Sequence, residues 1–249
     1  MEEIIHTIPG VVFIYLWRAG NWIIYEILTG HYFEAFRDIR FLFEGSLLTV
    51  HYDYYIDKKV YEKWSRYGKI DLKAEIVELA EKLRDQTRGR KPKSHLIRNI
   101  VRAFINKSGL STYEKKKYFD LYYEILSQSE LYWRIPKIID EYTRQWQLEK
   151  YKNKLIVAWK RLSTYTHFSR EFFKLILDRP EEIWIEHYNE KLLKECCDLY
   201  LTTIDLFFSV LAISFPKTAS LIKKIIEWWK KKLNMELEIT NKVLSELQK

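Results

Sequence analysis

The chain has 249 residues, 47% of them hydrophobic and 16% aromatic, and a formal net charge of +8. That apolar content supplies a core and argues against general disorder, while seven Gly and five Pro are too few for the tight turns of an all-β sandwich or barrel. The two cysteines, Cys196 and Cys197, are adjacent, which argues against a disulfide framework and against a CxxC zinc pair and fits a reducing, cytoplasmic setting.

Apolar residues recur at helical spacing along almost the whole chain. Val11–Leu28 reads as a first helix, apolar nearly all round and ended by Thr29-Gly30. His31–Tyr55 reads as a long second helix. Asp71–Thr87 is amphipathic, with Leu72, Ile76, Leu79 and Leu83 on one side. A basic turn follows, then Ser94–Asn106 with Ser94 as its expected N-cap. Ser111 and Glu114 form an expected capping box for a helix running to about Gln128. Pro136 breaks or starts a helix running to about Trp159, and Ser163–Thr166 marks a kink or boundary. Phe168–Leu177 stops before Pro180. Trp184–Ser214 reads as one long apolar helix, and Pro216 begins the last, to about Leu247. No strand shows convincing alternation. The expected fold is all-α, a bundle of about eight to ten helices in one domain covering 1–249. Residues 56–135 are expected to form a helical insertion or lid within it.

Charge is concentrated. Arg84–Lys107 holds eight basic residues against Asp85 alone, nearly the whole excess. Within it, Arg88, Arg90, Lys91 and Lys93 lie in an exposed turn, and Arg98 and Arg102 share a face of the following helix. Such a cluster favours phosphate backbones by counterion release, so these six residues are the expected nucleic-acid contacts. Smaller clusters are Lys115–Lys117, Lys223/Lys224 and Lys230–Lys232. The most apolar stretches, Ile4–Trp17 and Leu206–Pro216, are shorter than the ~20 residues of a spanning helix. Arg18, Glu26 and Asp205 interrupt longer readings, so stable membrane insertion is not expected. The Met-Glu-Glu start lacks the basic n-region of a signal peptide. A weaker reading places Val11–Trp22 and Lys223–Lys232 on a membrane surface. A charged fraction of 31% with abundant Ile and Tyr suggests a heat-adapted source.

No glycine-rich phosphate loop, Walker lysine, His-Glu-x-x-His, Gly-x-Ser-x-Gly or zinc-finger spacing occurs. No metal or cofactor is therefore expected. One local arrangement carries chemistry: Trp159-Lys160-Arg161-Leu162-Ser163-Thr164-Tyr165-Thr166-His167-Phe168-Ser169. On a continuous helix Arg161 and His167 would stand about 9 Å apart along the axis and about 120° apart around it. A long arginine side chain, or a break at the Ser/Thr run, would bring both to one phosphate. Arginine neutralises a phosphate bidentately, and histidine moves a proton near neutrality.

Arg161–Ser169 resembles the Arg-x4–6-His motif of the HEPN superfamily, all-α proteins that often act as ribonucleases in prokaryotic defence and toxin systems. More closely, Leu162-Ser163-x-Tyr165-x-His167-x-Ser169 is similar to a Leu-Ser-x-Tyr-x-His-x-Ser signature of a prokaryotic HEPN-like family. That family carries an earlier helix with leucine, glycine, Glu-Ala, Arg and Phe-Glu, which here reads Leu28-Thr29-Gly30 to Glu34-Ala35, Arg40 and Phe43-Glu44. The resemblance covers about a third of the chain. It implies Arg161 as the phosphate-binding residue and His167 as the proton-transfer residue. Arg40 and Glu44 are implied as a polar pair orienting His167 or each other, and Ser163 and Tyr165 as supporting residues. One departure is Leu162, where many active members have a polar residue.

Two readings follow. The first is a metal-independent endoribonuclease, a homodimer with two Arg/His motifs in one cleft, acting by 2′-hydroxyl attack to leave a 2′,3′-cyclic end. The second is a non-catalytic helical scaffold binding nucleic acid or a protein partner such as an antitoxin.

Overall fold

The computed structural model describes residues 8–56, 71–88, 90–166 and 188–247. Among these there are ten α-helices and no strand. They are α1 (Ile8–Leu28), α2 (Tyr32–Ile56), α3 (Asp71–Thr87), α4 (Ser94–Asn106), α5 (Thr112–Leu126), α6 (Ile135–Gln145), α7 (Glu149–Thr166), α8 (Glu190–Ser214), α9 (Ala219–Leu233) and α10 (Glu238–Leu247). The chain divides into two compact units. One comprises 1–10 and 49–138, and so contains the 56–135 stretch; the other comprises 11–48 and 139–249.

Several helix ends depart from the sequence reading, each for a local reason. Lys93, not Ser94, is the N-cap of α4, and it offers no side-chain cap. The Pro136–Trp159 helix is two helices, α6 and α7, because Gln147 takes a left-handed φ of 54°. There the Leu148 N–H reaches back to the Thr143 carbonyl (2.7 Å), the wide hydrogen bond of a Schellman stop. Gly30, φ 82°, ends α1 in the same way, with the His31 N–H donating to the Glu26 carbonyl (2.9 Å). The final helix is likewise split: Pro216–Thr218 is a 3-10 turn, and left-handed Asn234 separates α9 from α10. α8 starts at Glu190 rather than Trp184, capped by the Asn189 side chain, which accepts from the Leu192 N–H (3.0 Å). The Ser111–Glu114 capping box forms as read. The expected Phe168–Leu177 helix lies outside the described residues.

In the unit of 49–138, α3, α4 and α5 pack on one another through Ile76, Leu79 and Leu83, Ile97, Val101 and Ile105, and Leu121, Ile125 and Leu126. Tyr52 donates to Glu81 (2.7 Å), and Tyr122 to Glu75. Buried His51 donates its Nε2 proton to the Glu130 carbonyl (2.9 Å).

In the unit of 11–48 and 139–249, α8 is the central helix, buried from Thr203 to Val210. α2 contributes Ala35, Phe36, Ile39, Leu42 and Phe43, and α7 contributes Tyr151, Leu155, Ala158 and Leu162. Gly45 lets α2 approach α1, since a Cβ there would stand 2.9 Å from Leu16 Cδ2. Asp205, on α8, accepts from the Ile239 and Thr240 N–H groups (3.0 and 2.9 Å) and so caps α10 from another helix. α8 is long and apolar enough to cross a membrane, yet most of its apolar window is buried inside this unit.

Candidate functional site

The described part of the α7 segment singled out in the sequence meets the α2 segment in space. Arg40 and Glu44 lie one turn apart on α2, and the Arg40 Nε donates to Glu44 Oε1 (2.9 Å). The indole N–H of Trp159, on α7, donates to the same carboxylate oxygen (2.9 Å). Arg40 also donates through Nη1 to the Thr166 hydroxyl (2.5 Å), while Thr166 donates back to the Leu162 carbonyl (2.9 Å). The α2 pair is therefore bonded to the last turn of α7, immediately before position 167. Both side chains are mostly shielded, Arg40 at 19% and Glu44 at 24% exposure. Charge-assisted hydrogen bonds in such shielded places are among the stronger ones.

Arg161 sits one turn before Tyr165 on α7 and is open to solvent, at 58% side-chain exposure. Its Nε faces Glu195 Oε1 of α8 at 3.8 Å, and the Tyr165 hydroxyl donates to Glu195 Oε2 (2.7 Å). One shielded carboxylate thus receives both residues. The Tyr165 ring stacks flat on Phe36 of α2, centroids 4.0 Å apart and planes 7° apart. Burial and the bond to Glu195 raise the Tyr165 phenol well above its ordinary pKa, so it stays a proton donor to Glu195. Ser163 is half-buried, and its hydroxyl finds no partner among the described residues. Leu162 is fully buried in the core. His167 and Ser169 lie outside the described residues.

A second arrangement lies wholly in the unit of 49–138. Arg88, Arg90, Lys91 and Lys93 are exposed in the loop between α3 and α4, with Arg88 in a left-handed conformation, φ 51°. Arg98 and Arg102 project from the exposed side of α4. Their guanidinium groups lie over the rings of Tyr123 (5.3 Å) and Phe119 (5.7 Å) on α5. Those two rings stack on each other at 6.1 Å, with 6° between planes. The face therefore alternates cation and π-surface, the combination that binds phosphates and stacks unpaired bases.

Sequence reading missed Glu195, Trp159, Phe119 and Tyr123 as parts of these arrangements. A signal existed for the aromatic pair, whose i, i+4 spacing on α5 matches that of Arg98 and Arg102 on α4. None existed for Glu195, which becomes visible only when α8 is packed beside α7. Compared with protein-family models, with curated proteins and with solved structures, the chain matches none.

Proposed function

We propose that the chain is a HEPN-like, metal-independent endoribonuclease of a prokaryotic defence or toxin system, acting in the cytoplasm as a homodimer. The observation that supports this reading best is the union of α2 with the end of α7. Arg40 and Glu44 are bonded to Trp159 and Thr166, and Thr166 directly precedes His167. In this mechanism Arg161 holds the scissile phosphate, and His167 moves the proton of the attacking 2′-hydroxyl or of the leaving oxygen. Arg40 and Glu44 fix the end of α7 at Thr166, the residue before His167 in the sequence, as positioning residues. Single-stranded RNA is cut with EDTA present. His167→Ala abolishes cutting while leaving folding and RNA affinity in place, since loss of proton transfer alone costs about 10²–10⁴ in rate. Arg161→Ala weakens both cutting and binding. RNA left intact under all metal conditions would refute the enzyme.

The second reading, a non-catalytic nucleic-acid-binding scaffold, is favoured by a different observation. The Arg98/Tyr123 and Arg102/Phe119 pairs form a binding surface that needs no chemistry at Arg161. RNA binding that depends on these pairs, with no cleavage, would select it.

A further inference from the structure

Among the described residues, nothing covers the outer, apolar half of α1. Ile14, Tyr15, Trp17, Trp22, Tyr25 and Leu28 are all exposed, Leu28 to 78%, while Leu16, Ile23 and Ile27 fill the core from the opposite side. Only Arg18 and Asn21 interrupt the exposed surface. Tyr15 packs edge-on against exposed Phe41 of α2 (5.7 Å), which extends the patch. Soluble monomers rarely leave so continuous an apolar surface in water.

Next to it an apolar cavity of about 240 Å³ opens between α1, α8 and α9. Exposed Trp17 and Ile24 line it from one side and exposed Leu233 from the other, so its rim joins the outer face of α1 to the last turn of α9. α9 is amphipathic: Ile222 and Ile226 are buried, and Leu221, Lys224, Trp228 and Lys231 form one outward stripe at i, i+3, i+7 and i+10. The helix carries five lysines against Glu227 alone, and Lys230 reaches Glu236 at 3.0 Å.

We propose that the outer face of α1 and the lysine-bearing stripe of α9 together dock on the surface of an anionic lipid bilayer. Trp and Tyr are the side chains that favour the headgroup level, and lysines flanking them complement lipid phosphates. A second copy of the chain is the poorer occupant. A two-fold axis through the patch would bring Arg18, at its middle, against the same residue of the other copy, and like charges repel. The proposal is independent of the ribonuclease reading and lies entirely in one unit.

The test is co-sedimentation of the 249-residue chain with phosphatidylcholine vesicles made with and without phosphatidylglycerol, alongside tryptophan emission. Binding to the anionic vesicles, weakened by salt and accompanied by a blue shift, is expected. Lys224→Gln with Lys231→Gln should lower that affinity roughly thirtyfold. Tyr15→Ser with Trp22→Ser should lower it and reduce the shift, with far-UV circular dichroism checking the fold; the lysine pair decides the matter if the aromatic variant does not fold. Absence of binding to anionic vesicles, or binding indifferent to the lysine pair, would overturn the proposal. So would a dimer in lipid-free solution that Tyr15→Ser with Trp22→Ser dissociates, since the face would then belong to a second copy.

Discussion

Two buried polar residues illustrate how single side chains set stability. Asp205 breaks the apolar run of α8 in the sequence, and its carboxylate is 2% exposed as a residue. Burial raises its pKa, while hydrogen bonds from Ile239 and Thr240 pull it back. Asp205→Ala leaves those two N–H groups unpaired in the core and should destabilise by about 3 kcal/mol in urea unfolding. Asp205→Asn keeps one acceptor and should lose less. His51 is held neutral by burial, its pKa lowered to about 4 from an ordinary 6.5. The unfolded chain therefore binds its proton first. The stability from neutral His51 is present above pH 6.5 and is lost as pH falls toward 4, by about 3 kcal/mol in all. His51→Gln should flatten that part of the pH dependence, read as the difference between the two proteins' urea midpoints. Glu195 offers a third case. Glu195→Gln keeps an oxygen for the Tyr165 hydroxyl but removes the charge facing Arg161, so RNA affinity should rise and its salt dependence steepen.

Helices themselves were largely legible. α3 spans the residues its periodicity marks, and the capping box of α5 follows from Ser111 and Glu114. What escaped was punctuation. In a chain with seven glycines, the left-handed stops fall on Arg88, Gln147 and Asn234 as well as Gly30. Asn is a known alternative to Gly there, but Arg88 and Gln147 give no local signal, since neither residue type favours the left-handed region. The cation–π face of α4 and α5 belongs to this scale too. Replacing Arg98 and Arg102 by Gln should lower the salt slope of RNA binding by about 2, and Tyr123→Leu should weaken binding to single strands more than to duplex.

At the scale of the whole molecule, the all-α class follows from composition and periodicity alone. The meeting of α2 with α7 does not, because Arg40 and Thr166 are 126 positions apart and no spacing rule connects them. A resemblance in two separate segments suggested that they belong together, and the hydrogen bonds from Arg40 and Trp159 give that suggestion a geometry. The proposed chemistry is tested on RNA itself. The most direct measurement is to incubate the purified chain with single-stranded RNA in EDTA and to identify the new 3′ ends. Products ending in 2′,3′-cyclic phosphate, formed by the wild type and absent with His167→Ala, are the predicted result. Intact RNA, or cleavage that His167→Ala leaves unchanged, would contradict it.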